Sequence, residues 1–108
     1  SKMHALAETD VLTNVPNRRA FERRLAQAAA DWTQMQLPVG LLVIDIDKFK
    51  VVNDGYGHPF GDRVLIEVTR RLGRCVRPSD VLARLGGEEF GVLAHGVTGE
   101  RLPALAER

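Results

Sequence analysis

Carboxylates gather at two points of this 108-residue sequence. The apolar run over residues 39–46 closes on Asp45-Ile46-Asp47, and Glu88-Glu89 directly follows Gly86-Gly87. An acidic residue rarely sits in an apolar strand unless something pairs it. If the glycine pair is a hairpin turn lying beside that strand, Asp45 and Glu88 can face one another. Two carboxylates so close repel, and a cation between them is the natural solution. Hard oxygen ligands with open positions suit Mg²⁺ (or Mn²⁺), which takes few carboxylates and leaves room for phosphate oxygens. Composition alone leaves the alternative open, that Glu88 and Glu89 are solvated turn residues.

Lys48-Phe49-Lys50 opens a short helical stretch. Helix N-termini carry free N–H groups and bind phosphates, and Lys50 would add a charge there. Asn53 and Asp62 flank a glycine-rich segment, G-Y-G-H-P-F-G over residues 55–61. An amide and a carboxylate together match a guanine edge: the carboxylate accepts from N1–H and the 2-amino group, and the amide engages other polar atoms. Each also has a plain structural place, Asn53 at a helix end and Asp62 as a helix cap. His58 reads as structural, with no second histidine at a metal-ligand spacing. Cys75, the single cysteine, falls in an apolar helical pattern and reads as core.

These residues need elements to position them. Residues 3–8 read as the end of a helix and 10–16 as a turn. Asn17 offers an N-cap for an amphipathic helix with Phe21, Leu25, Ala28, Ala29 and Trp32 on one face. Leu37-Pro38 breaks it. Residues 39–46 are apolar on both faces, the pattern of a central strand. A helix over roughly 48–54 ends at Gly55 and Gly57. A longer one starts near Gly61-Asp62, with Val64, Leu65, Val68, Leu72, Cys75 and Val76 as its stripe, and stops at Arg77-Pro78. Residues 81–85 and 88–94 are short strands separated by Gly86-Gly87, a pair suited to a turn needing positive φ at both central positions. Thr98 would cap a last helix to Arg108, with Leu102, Leu105 and Ala106 inward. The order helix, strand, helices, strand, strand, helix is α+β: a palm-like split βαβ with a mainly antiparallel sheet flanked by helices, truncated after the third strand and its following helix. On this reading residues 1–9 end an upstream signalling helix or linker, and residues 10–108 form one incomplete domain.

Composition narrows the function classes. Hydrophobic residues make up 44% and charged residues 27%, ordinary for a soluble domain. Fifteen basic and fourteen acidic residues give a net charge of +1, which argues against a dedicated nucleic-acid binder. One cysteine forbids an internal disulfide and suits a reducing, cytoplasmic setting. No run is long enough to span a bilayer, so a membrane would be reached only through an upstream region.

Three stretches resemble one family. D-V-L-T-N-V-P-N-R-R (residues 10–19) is similar to the opening motif of GGDEF domains, the diguanylate cyclases. D-I-D-K-F-K-V-V-N-D-G-Y-G-H-P-F-G-D (residues 45–62) resembles their substrate segment. R-L-G-G-E-E-F (residues 84–90) resembles their signature hairpin in its active form. Val11 and Asn14 stand where proline and glycine are more usual. The family's further strand and its helix bearing triphosphate-binding basic residues are not found in this sequence.

The resemblance implies an enzyme that condenses two GTP into cyclic di-GMP, releasing two pyrophosphates, as a homodimer. Asp45, Glu88 and the carbonyl of Ile46 would ligate Mg²⁺. Asn53 and Asp62 would read guanine, and Phe49 and Lys50 would lie at the triphosphate. Gly86 and Gly87 would let the backbone approach GTP, and Glu89 would act near the reacting ribose. Arg77-Pro78-Ser79-Asp80 matches the family's R-x-x-D product-inhibition site, and Arg108 falls where a second arginine can stand. The rival readings are a non-catalytic cyclic di-GMP receptor and another palm-type nucleotidyl cyclase or polymerase. The 108 residues by themselves are expected to bind GTP weakly and to turn it over poorly.

Overall fold

The computed structural model describes residues 7–95. The elements are α1 (Arg18–Met35), β1 (Val39–Asp45), α2 (Phe49–Tyr56), α3 (His58–Gly73), β2 (Val81–Gly86) and β3 (Glu89–His95). The strands form one sheet in the order β1-β3-β2, antiparallel at both junctions. β1 and β2 therefore run parallel with β3 between them, which is the split βαβ arrangement. The final helix expected after Thr98, and most of the upstream segment, lie outside the described residues.

Period-two alternation assigns each face of the sheet. Leu82 of β2, Phe90 and Val92 of β3, and Leu42 and Ile44 of β1 meet Phe49, Leu65 and Leu72 from α2 and α3. Val81, Ala83 and Leu93 face the other way and meet Phe21, Leu25 and Ala28 of α1. Gly91 lies on this second face. A Cβ there would come within 2.9 Å of the Phe21 ring, so the missing side chain is what lets α1 sit down on the sheet.

Asn17 caps α1 as its residue type requires: the side chain accepts from the Ala20 N–H at 3.0 Å. The apolar stripe runs out before the helix does. Ala29 and Trp32, expected inward, are exposed, Trp32 by 49%. An 18-residue helix is about 27 Å long, and its last turns extend past the residues that cover Phe21 and Ala28.

The sequence reading needs correction at four further points. β1 is at an edge among the described residues, with Leu41 and Val43 half-exposed, and β3 is the central strand. The segment over 55–61 is no loop: α2 continues through Tyr56, Gly57 alone joins it to α3, and α3 begins at His58. Gly57 has φ +91, and Pro59 occupies the first turn of α3, where its missing N–H costs nothing. Asp62 is consequently inside α3 and not its cap. α3 also ends at Gly73, so Cys75 and Val76 lie beyond the helix, packed beside Ala94. Finally, the hairpin's two turn residues are Gly87 and Glu88, and Gly86 is the last residue of β2, paired with Glu89.

Candidate active site

The strand ends bring the carboxylates together, in a register the sequence did not reveal. Asp45 lies directly opposite Glu89, while the Ile46 N–H donates to the Glu88 carbonyl at 3.1 Å. Directly opposed residues of an antiparallel pair project to the same face, where like charges destabilise the pair. Among the described residues, Asp45, Asp47, Glu88 and Glu89 have no ion-pair or side-chain hydrogen-bond partner. Carboxylates without a protein partner at adjoining strand ends are hard anionic donors, the type a hard divalent cation takes. No three acidic, histidine or cysteine side chains among the described residues are grouped to hold a metal by themselves. Asp45, Glu88 and the Ile46 carbonyl would supply a partial shell, leaving the rest to ligand oxygens.

Beside these carboxylates is a cavity of about 380 Å³, lined by Phe49, Lys50, Asn53, His58, Asp62, Leu65, Arg84, Gly87 and Glu88. Six of the residues singled out from sequence thus meet at one place, drawn from α2, α3 and the hairpin turn. Asp45, Ile46, Gly86 and Glu89 are not among the lining residues and stand at the adjoining strand ends.

The N-terminus of α2 contributes backbone. Lys48 precedes it with φ +58 and makes no side-chain cap, so the first-turn amides are not capped by its side chain. The Lys50 ammonium pairs with Asp54 at 3.1 Å, but both groups are largely exposed, and such a pair is worth little and easily exchanged. Gly87 has φ +45, the left-handed conformation that glycine adopts without strain, and a Cβ at Gly86 or Gly87 would meet only open space.

Two polar lining residues were not read from sequence as part of the site: His58, read as structural, and Arg84. His58 faces the cavity, with Nδ1 2.8 Å from the Asn53 side-chain nitrogen. Arg84 donates from Nε and Nη2 to the Gly87 carbonyl at 3.0 and 2.9 Å and from Nη1 to Asp10 at 3.2 Å. A charged residue inside the apolar V-L-A-R-L run was the available signal for Arg84; its partner is 74 positions away, which no local pattern reveals. Burial pushes the Asp10 carboxyl up, but the Thr13 hydroxyl and amide and the Arg84 guanidinium outweigh it and hold it below the usual carboxylate range.

Arg77 and Asp80 close a turn on each other. The Arg77 N–H donates to Asp80 Oδ2 at 2.8 Å, and the Asp80 N–H donates to the Arg77 carbonyl at 2.9 Å. The Arg77 guanidinium reaches Asp80 and the His95 carbonyl. This turn is at the opposite end of β2 from Gly87, about 20 Å away at the usual rise of a strand. Arg108 lies outside the described residues.

Comparison with known proteins agrees with this geometry. The model of the family described as "Diguanylate cyclase, GGDEF domain" matches residues 7–108. The probable diguanylate cyclase DgcT of Escherichia coli is 47% identical over 103 residues, covering 95% of this chain and 22% of its own length. The diguanylate cyclase TpbB of Pseudomonas aeruginosa is 46% identical over 87 residues, covering 81% of this chain and 20% of its own. The chain therefore spans about a fifth of the length of these relatives. The crystal structure of the GGDEF domain of DgcB from Caulobacter crescentus, in complex with c-di-GMP, superposes with a TM-score of 0.90 at 39% identity, covering 94% of this chain and 59% of that one. With the α+β fold, the intact G-G-E-E-F hairpin and the family match in agreement, this chain belongs to the GGDEF family of diguanylate cyclase domains.

Proposed function

We propose that this chain is the nucleotide-binding and catalytic part of a diguanylate cyclase, which condenses two GTP into cyclic di-GMP and two pyrophosphates. The observation that carries the reading is the single cavity joining Asn53 and Asp62 to Lys50, Gly87 and Glu88, beside the opposed Asp45 and Glu89. A guanine would be read by Asn53 and by the exposed carboxylate of Asp62. The triphosphate would lie toward Lys50, the α2 amides and the glycine turn. A divalent cation held by Asp45, Glu88 and the Ile46 carbonyl would neutralise phosphate charge and lower the pKa of the attacking hydroxyl.

The 3′-oxygen of one GTP attacks the α-phosphorus of the other, forming a P–O bond as the bond to pyrophosphate breaks and the hydroxyl proton leaves. A second such attack closes the ring. One cavity holds one GTP, so two copies must meet face to face in a two-fold dimer. Glu89, opposite Asp45 at the strand end, would act near the reacting ribose. Arg77 and Asp80 would form the product site that restrains the enzyme, the exposed arginine fork suiting phosphate and guanine while the covered Asp80 carboxylate holds the turn that presents it.

The test is incubation with GTP and Mg²⁺ followed by chromatography for cyclic di-GMP, on this chain and on one extended at its C-terminus. Product from the extended chain, abolished by Glu88→Gln, is the expected result. Absence of cyclic di-GMP, with the dinucleotide still bound, would favour the receptor reading.

A further inference from the structure

Asn53 is held from three sides, and two of the holding residues have no assigned part in the site. Its backbone carbonyl accepts from the Gly57 N–H at 2.8 Å, which fixes the end of α2. Its amide nitrogen lies 2.8 Å from His58 Nδ1. An amide nitrogen only donates, so in this arrangement Nδ1 is the acceptor. The amide oxygen lies over Gly61, where a Cβ would collide with it and come within 3.2 Å of the Phe49 ring. Gly61 is buried inside α3, one turn beyond His58.

We infer that His58 and Gly61 are specificity-determining positioning residues, which fix the Asn53 amide with its nitrogen toward His58 and its oxygen over Gly61, and thereby set the preference for guanine. The inference rests on the reading above that Asn53 and Asp62 take the base. A side-chain amide flips readily, because its two ends are nearly the same size and differ only in donor and acceptor. With one N–H committed to His58, the other remains to donate to an acceptor on the base. Asp62 offers the complementary acceptor to the base's N–H groups. A donor and an acceptor fixed side by side match guanine and mismatch adenine, whose pyrimidine edge has its own donor and acceptor reversed. An amide free to flip serves either base.

The two residues act by different means, which makes the idea separable from general damage. Removing the imidazole takes away the partner of the amide nitrogen. Adding a methyl at Gly61 leaves His58 in place but forces the amide to turn. An asparagine at position 58 places its side-chain oxygen at about the position of imidazole Nδ1, whereas the glutamine oxygen corresponds to Nε2. His58→Asn should therefore preserve the arrangement and His58→Gln should not.

The experiment is a calorimetric titration of the full chain with GTP and with ATP in Mg²⁺, together with hydrogen exchange of the Asn53 side-chain amide by NMR. His58→Ala and Gly61→Ala should each weaken GTP roughly five- to tenfold, the scale of one hydrogen bond. ATP affinity should stay within about twofold, so that base preference narrows. Side-chain exchange should quicken in both, and His58→Asn should restore preference and slow exchange together. In an Asn53→Ala background, His58→Ala should cost nothing further. An additive loss in that background, or an unchanged ratio of GTP to ATP affinity, overturns the inference. A parent chain that binds GTP no better than ATP would instead sink the guanine reading of the cavity and, with it, the selection of base. The exchange data would then still decide whether His58 and Gly61 orient the amide.

Discussion

Arg84 grips Asp10 with Nη1 at 3.2 Å while its other nitrogens hold the Gly87 carbonyl, and both charged side chains are mostly buried, at 17% and 19% exposure. One guanidinium thus spans the loop that opens the domain and the turn that carries Glu88. The loop is closed on itself by Asp10, whose carboxylate also accepts from the Thr13 amide and hydroxyl. Asn14 takes φ +62 in that loop, a left-handed conformation that asparagine tolerates better than most residues. This is a physical reason why asparagine suits position 14.

Asp10→Asn should therefore destabilise the domain at neutral pH by about 1–3 kcal/mol, the scale of a lost hydrogen bond to a charged group. The folded carboxyl titrates below its ordinary value, so its stabilisation is present above that value and lost as pH falls through the lower, folded one. The gap in melting temperature between parent and variant should hold from pH 7 down to about pH 5 and shrink below about pH 4. A gap that persists undiminished at pH 3 would show that the charge is not what matters.

Much of this was legible beforehand because it is local. The α1 cap at Asn17, the apolar 39–46 strand and the presence of a hairpin near Gly87 each declare themselves within a few residues, though the turn itself falls one residue later than the glycine pair suggests. The α2–α3 junction did not, because Gly55, Gly57 and Gly61 read as one glycine-rich loop, whereas Gly57 alone joins the two helices. Nor did the pairing of Asp45 with Glu89 in place of Glu88. A register off by one residue turns every side chain of a strand to the other face, and the register of β1 against β3 is a long-range pairing that no local pattern reveals.

Arg77→Ala should relieve inhibition by added cyclic di-GMP and leave the initial rate within about twofold in a C-terminally extended chain, since Arg77 is about 20 Å from Gly87 along β2. Arg77 is the residue to change, because the Asp80 side chain is fully covered and its removal would test the turn as well. Unchanged inhibition would mean that the R-x-x-D turn is structural.

Gly91→Ala should cost about 1–3 kcal/mol by overpacking, because the new methyl would sit 2.9 Å from the Phe21 ring and 3.2 Å from Leu85. Combining it with Phe21→Leu should recover part of the loss, which two unrelated defects would not do. Denaturant titration of the two single variants and the double variant checks this. A double variant that loses the full sum of both costs would show that Gly91 is small for a reason other than the approach of α1.

Asp45 and Glu89 should trade stability for chemistry. They are directly opposed in the register of β1 and β3, and neither has a charge partner among the described residues. Like charges so placed cost about 0.2–1 kcal/mol. Asp45→Asn removes one of them without removing a core contact, since the residue is exposed. In a chelator the variant should melt about 1–6 °C higher than the parent. Adding Mg²⁺ should raise the melting temperature of the parent, because a ligand that binds only the folded state stabilises it. The variant should lose most of that rise, and synthesis of cyclic di-GMP with it. The opposite signs of the two effects matter: a carboxylate held for the fold would lower the melting temperature on substitution with or without the cation. A variant less stable than the parent in chelator would therefore show that Asp45 is a structural residue, and the cation assignment would fall.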